Sequence, residues 1–174
     1  LLDGDDPSLQ VLAAAELASR STLRSQLTRR ERRHLQATVR DARRSPVARA
    51  QLLDAAQFHA AEFGSGWAPV AQAVVAEEPV SLQPGQPNER LVWSAFQLLG
   101  AADVRLRRAT LARWATSGNG ALAEQALLLL RRNNPDAEAA AIASALATPG
   151  LSPGTAEFLR DHQRRLLLNT NPPR

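Results

Sequence analysis

Cysteine, methionine, tyrosine and lysine are all missing from this chain of 174 residues. Without cysteine there is no disulfide framework, no thiolate metal site and no cysteine nucleophile, and the redox compartment is left open. Aromatic residues are only 4% of the chain while 44% is hydrophobic, much of it alanine, so helices are expected to sit close together on small side chains rather than around large rings. No apolar run approaches the roughly 20 residues that cross a bilayer, and the chain is expected to be soluble. There is no Gly-x-Gly-x-x-Gly, no phosphate loop and no Gly-x-Ser-x-Gly nucleophile elbow. Because lysine is missing, all 21 basic residues are arginine, against 17 acidic residues, for a net charge of +4; GC-rich codon usage accounts for that choice. Leu1 is not an initiator methionine, so we expect an end left by processing or trimming, with the cell envelope favoured over the cytoplasm.

What is present is helix after helix. After the acidic lead-in Leu1 to Pro7, Ser8 stands as a cap before Leu9, Leu12, Ala13 and Leu17, predicting a helix from Ser8 to Ser19. Thr28 with Glu31 has the capping-box spacing and opens a helix that reaches Arg44; alternatively Leu23 and Leu27 already belong to it. Ser45-Pro46 opens the next, with Leu53, Ala56, Ala60 and Phe63 on one face and Gly64 as its stop. A shorter helix from Ala68 to Glu77 leads into the loop Glu78 to Pro87, whose three prolines and one glycine oppose regular structure and mark a seam or a functional loop. Further helices are expected after Asn88 up to Gly100, after Asp103 and ending before Gly118, from about Ala121 to Arg132, after Asn134-Pro135, and from Ser152-Pro153, with a frayed tail over 169–174. Leu127 to Leu130, apolar on all sides, predicts an inner helix.

Nine helices, no credible strand and short joints predict an all-α fold of antiparallel helical hairpins in a single domain over residues 1–168, with a seam in the loop 78–88. The phrase Val104-Arg105-Leu106-Arg107-Arg108-Ala109-Thr110-Leu111 after Asp103 returns as Pro135-Asp136-Ala137-Glu138-Ala139-Ala140-Ala141-Ile142, with an echo at Pro46-Val47-Ala48-Arg49-Ala50. These phrases resemble the start of the second helix of HEAT repeats, and that resemblance implies a short α-solenoid. The tetratricopeptide family matches less well. Trp114, Ala123, Leu127 and Pro135 fall at its spacings, but Arg107, Thr110 and Leu111 occupy places where it takes other residue types.

The inventory for catalysis is thin. His34, His59 and His162 are isolated in sequence; His59 and Glu62 share a helical face, but no second ligand pair at helical spacing accompanies them. No catalytic residue, metal site or cofactor is therefore expected, and no enzyme. The segment Arg20 to Arg49 stands apart: ten of the arginines lie there against only Glu31 and Asp41. At about 100° per residue, Arg29, Arg33, Arg40 and Arg44 fall on one side with Arg32, Gln36 and Arg43 beside them. Leu27, Leu35, Thr38, Val39 and Ala42 fall opposite. The bland account is a solvated outer face, partly neutralised by the acidic lead-in or by Glu77 and Glu78. The functional account is a site for an anionic partner, formed by Arg29, Arg32, Arg33, Arg40, Arg43 and Arg44. We expect a non-enzymatic protein–protein interaction or scaffold module; the alternative is a binder of nucleic acid or another polyanion. No aromatics for base stacking are interleaved with the arginines, which disfavours single-stranded nucleic acid.

Overall fold

The computed structural model describes residues 2–19, 27–63, 65–102, 104, 106–117, 119–133, 135–147 and 153–170. Among them the fold is all-α, with nine helices, one isolated helical turn and no strand. Contacts divide the chain into two compact units, residues 1–78 with 85–104 and residues 79–84 with 105–174.

In the first unit the helices are α1 (Pro7–Ser19), α2 (Arg29–Arg40), α3 (Pro46–Phe58), the single turn α4 (Ala60–Phe63), α5 (Ala68–Glu77) and α6 (Pro87–Ala101). Helix α3 is the hub: α1, α2 and α6 all pack on it, and α5 packs on α6 and α2. Its Leu52, Leu53, Ala55 and Ala56 are buried with Leu91, Val92, Ala95, Phe96 and Leu99 of α6, small residues alternating with large ones as close helix packing requires. Proline at the first position of α3 and of α6 removes a donor that would be unsatisfied there in any case.

Several boundaries differ from the sequence expectation, each for a local reason. The cap of α1 is Asp6, not Ser8: its carboxylate accepts from Ser8 N (2.8 Å) and Leu9 N, which lets Pro7 take the first helical position. The buried residues of α1 are Gln10 and Ala14, while Leu9 and Leu12 remain exposed. Gln10 earns its place by accepting from Ser45 N (2.8 Å) and donating to Gly4 O (2.6 Å). Helix α2 opens with the expected capping box, but it stops at Arg40, four residues before Arg44, because Asp41 turns to an extended backbone with ψ 105°. Leu27 precedes α2, and Leu23 lies outside the described residues. The α3 helix ends at Phe58, since His59 breaks the run, and Phe63 belongs to the following turn; Gly64 lies outside the described residues. Gly66 has φ +94°, a backbone that favours glycine, and brings the chain back to α5.

The second unit contains α7 (Arg108–Ala115), α8 (Gly120–Asn133), α9 (Pro135–Leu146) and α10 (Pro153–Thr170). Helix α8 packs on α7, α9 and α10, and it buries Leu122, Ala123, Ala126, Leu127 and Leu130. It is not apolar-buried all round: Leu128, about 100° from Leu127, is 44% exposed. Asn119 caps α8 by accepting from Leu122 N at 3.1 Å. Helix α7 starts at Arg108 rather than after Asp103; Val104, Leu106 and Arg107 are non-helical, and Asp103 lies outside the described residues. Helix α10 extends through Asn169 and Thr170, two residues expected in the tail, because nothing in Leu166-Leu167-Leu168 breaks it; residues 171–174 are outside the described set.

Candidate functional site

The arginine-rich segment divides into cations that are used inside the fold and cations that are not. Arg49 is 4% exposed: its Nε donates to Val39 O (2.7 Å) and its guanidinium pairs with the buried Glu78 (3.2 Å), whose other oxygen accepts from Asn88 (2.7 Å). That buried network ties the ends of α2 and α5 and the start of α6 to α3. Arg43 is committed to Asp41, with Nε to Oδ1 at 2.9 Å and a second contact to Oδ2 at 3.0 Å. Hydrogen bonds from the Arg43 side chain, and then from its backbone N–H, hold the Asp41 carboxyl at about 2, well below its ordinary value. The same hydrogen bond, then the Asp41 charge, raises the Arg43 guanidinium above its ordinary value. Arg44 reaches Gly4 O (2.9 Å) and Asp41 (3.4 Å). Arg32 turns back to Leu27 O at 3.4 Å.

Arg43 and Arg44 therefore do not extend the α2 face, as the sequence reading had placed them. The helix ends before them, and both close the Asp41 turn instead. Arg32 is half-buried beside Leu35 and Val39 rather than on the open side. What remains of the expected site is Arg29, Arg33 and Arg40, exposed on one stripe of α2 about 16 Å long. Ala42, expected on the apolar side, is exposed. Arg30, which the sequence reading left out of the site, is also exposed, about 60° round the helix from Arg33. In helical phase it lies off the principal stripe. Among the described residues, Arg29, Arg30, Arg33 and Arg40 have no ion-pair partner. The lead-in engages the other side of the segment, with Asp3 to His34 at 3.2 Å and Gly4 O on Arg44.

Between α1 and α2, both seated on α3, lies an open groove of about 580 Å³ lined by Leu2, Asp3, Leu12, Ala13, Glu16, Leu17 and His34. It sits on the Arg30 side of α2, since His34 follows Arg30 by about 40° in helical phase.

The histidines are dispersed. His59 contacts Ala18 O at 3.1 Å, and the Glu62 side chain lies outside the described set. His162 of α10 meets the fully buried Glu138 of α9, Nε2 to Oε1 at 2.7 Å, and Arg131 of α8 stands 3.9 Å from the other oxygen. Phe158 packs against the imidazole with ring centres 5.8 Å apart. This pair was not visible in sequence, where 24 residues separate its members. The arrangement clips α9 to α10. Among the described residues, no group of three or more histidine and acidic side chains is placed to hold a metal ion. No described helix is long and apolar enough to cross a membrane.

No family model, curated protein or solved structure matches this sequence.

Proposed function

We propose that this chain is a non-enzymatic interaction module, built from HEAT-like helical hairpins, that docks an acidic protein surface along the outer face of α2. The observation that carries this reading is the division among the arginines. Arg32, Arg43, Arg44 and Arg49 are all engaged inside the unit, whereas Arg29, Arg33 and Arg40 stand exposed without an ion-pair partner among the described residues. Codon bias would account for arginine in place of lysine, but not for three of them lying on one stripe. Helix stability does not explain it either. Arg29 occupies the first turn, where the positive end of the helix dipole opposes a cation by about 0.3–1 kcal/mol.

The repeat reading rests on register. Counting from the matching starts of the three phrases, Leu53, Leu111 and Ile142 fall at the same place in sequence and each is fully buried, although α7 begins only four residues into its phrase. Repeated units with one conserved inward position are what stacked hairpins need, because each must bury its apolar face on a neighbour.

Affinity capture from nuclease-treated lysate tests the docking role. The wild-type chain is expected to retain partners that the Arg29→Gln/Arg33→Gln/Arg40→Gln variant loses, while Arg131→Gln/Arg164→Gln/Arg165→Gln, equally basic but elsewhere, keeps them. Loss of all associates on nuclease or heparin treatment would assign the stripe to nucleic acid or another polyanion instead.

A further inference from the structure

We infer that the chain pairs with a second copy of itself through the open side of α3, the two α3 helices lying antiparallel across a two-fold axis. Helix α3 is covered by α1, α2 and α6, and its remaining side carries one stripe, Val47, Gln51, Asp54 and Phe58, within about 60° of one another in helical phase. Between Val47 and Ala56 every other residue of the helix is buried. Phe58 is 74% exposed, more than any other large apolar side chain among the described residues, and Val47 is 37% exposed. A lone exposed apolar residue needs no explanation. A helix buried on three sides whose one open stripe begins and ends in apolar residues, spaced by fours and threes, has the pattern of a seam.

The stripe is its own complement when reversed. An antiparallel copy centred between Leu52 and Leu53 sets Phe58 against Val47 at both ends and Gln51 against Asp54 twice in the middle, and an isologous contact requires that every pairing be returned in this way. A parallel copy sets Asp54 against Asp54, carboxylate facing carboxylate. Phe58 of the second copy also has a place to enter. Beside Val47, about 16 Å along the helix from Phe58, lies a furrow of about 460 Å³ between α3 and α6, with Pro87 and Trp93 as apolar walls. The charged groups in its lining are already engaged, Glu89 with Gly85 N (2.6 Å) and Arg90 with Asp54 Oδ2 (2.7 Å), so an entering ring strands neither. Arg90 leaves Asp54 Oδ1 to accept from the Gln51 amide of the second copy.

This contact is independent of the α2 docking role, and a single stripe about 16 Å long makes a small interface, so the dimer is reversible. Sedimentation of the full chain from about 1 µM to about 1 mM, the span of modest affinities, is expected to show monomer passing into dimer. Phe58→Asp should weaken that association at least about tenfold, because an anion replaces the ring at the contact. At so exposed a position it should leave helicity and the thermal melt unchanged. The chain's lack of cysteine supplies a second readout, which reports register. Val47→Cys and Phe58→Cys, mixed under mild oxidation, are expected to cross-link to each other, and in that mixed dimer the reciprocal contact of Phe58 with Val47 stays intact. Either variant alone should give little disulfide, because like positions lie about 16 Å apart along an antiparallel pair, well beyond the roughly 7 Å that a disulfide spans between Cα atoms. A chain still monomeric at about 1 mM, or a dimer indifferent to Phe58→Asp, overturns the inference. Disulfide formed as readily by one variant alone as by the mixture assigns a different register and overturns it as well. Should Phe58→Asp lose helicity, the cross-linking pattern decides the point.

Discussion

Removing the Glu78 carboxylate should be among the most damaging single changes to the first unit, and the reason lies in Arg49. With 4% of Arg49 exposed and Glu78 at 8%, both charges have left water. Their 3.2 Å pairing, the 2.7 Å bond from Arg49 to Val39 O and the 2.7 Å bond from Asn88 help to compensate them. Glu78→Ala leaves a buried guanidinium without its counter-charge, a change that costs about 3–5 kcal/mol where it has been made in other proteins. Replacing both partners by apolar groups, Arg49→Met with Glu78→Leu, removes the stranded charge. Asn88 is half-buried and can turn to water, so the main residual loss is the donor to Val39 O, about 1–3 kcal/mol. The double variant should therefore be no less stable than Glu78→Ala, the signature of strong coupling between neighbours. Native-state hydrogen exchange suits the chain's two units, because amides in α3 and α6 report the first unit while those in α8 serve as an internal control. A Glu78→Ala cost under about 1 kcal/mol, or a double variant whose cost equals the sum of the two singles, would refute the reasoning.

Other outcomes follow from the same geometry. Leu127→Ala and Leu130→Ala should each cost about 2–5 kcal/mol, whereas Leu128→Ala, at a position 44% exposed, should cost less than about 1 kcal/mol in denaturant melts. Thr28→Ala, which removes the cap accepting from Glu31 N, should cost about 0.5–2 kcal/mol and fray the first turn of α2 in amide exchange. The Asp41 carboxyl, held at about 2 in the fold, contributes stability that is fully present above its ordinary value of 3.8. That contribution is lost as pH falls through about 2, so an NMR titration of Asp41 with its midpoint near 4 would contradict the Arg43 contacts. Changing Arg29, Arg33 and Arg40 to Gln together should leave the melt within about 0.5 kcal/mol per site, since none has an ion-pair partner among the described residues.

How far the sequence could be read depended on whether a feature is local. Capping at Thr28 and Glu31, proline at the head of α3, and the inward spacing of Leu127 and Leu130 are all set by residues within one turn, and each was legible. The end of α2 was not, because the pattern of arginines continues unbroken through Arg44 while the backbone turns at Asp41 on a side-chain hydrogen bond that no periodicity records. For the same reason the exposed arginine stripe was only half legible. Helical phase located Arg29, Arg33 and Arg40, but it also carried Arg43 and Arg44 onto a face that does not extend to them. The pairing of Arg49 with Glu78, the meeting of His162 with Glu138, and the groove between α1 and α2 depend on which helices become neighbours, and spacing along the chain does not encode that.

The most direct test of the docking role is the salt dependence of binding between the full chain and a glutamate-rich helical peptide, compared for the wild type, Arg29→Gln/Arg33→Gln/Arg40→Gln, and Arg131→Gln/Arg164→Gln/Arg165→Gln. Attraction to exposed charges is screened over about 10 Å at 0.1 M salt, so wild-type affinity should fall steeply as salt rises. The α2 variant should bind weakly with a nearly flat slope, and the control variant should follow the wild type. An unchanged affinity and an unchanged slope in the α2 variant would contradict the account, leaving those arginines as no more than a solvated outer face.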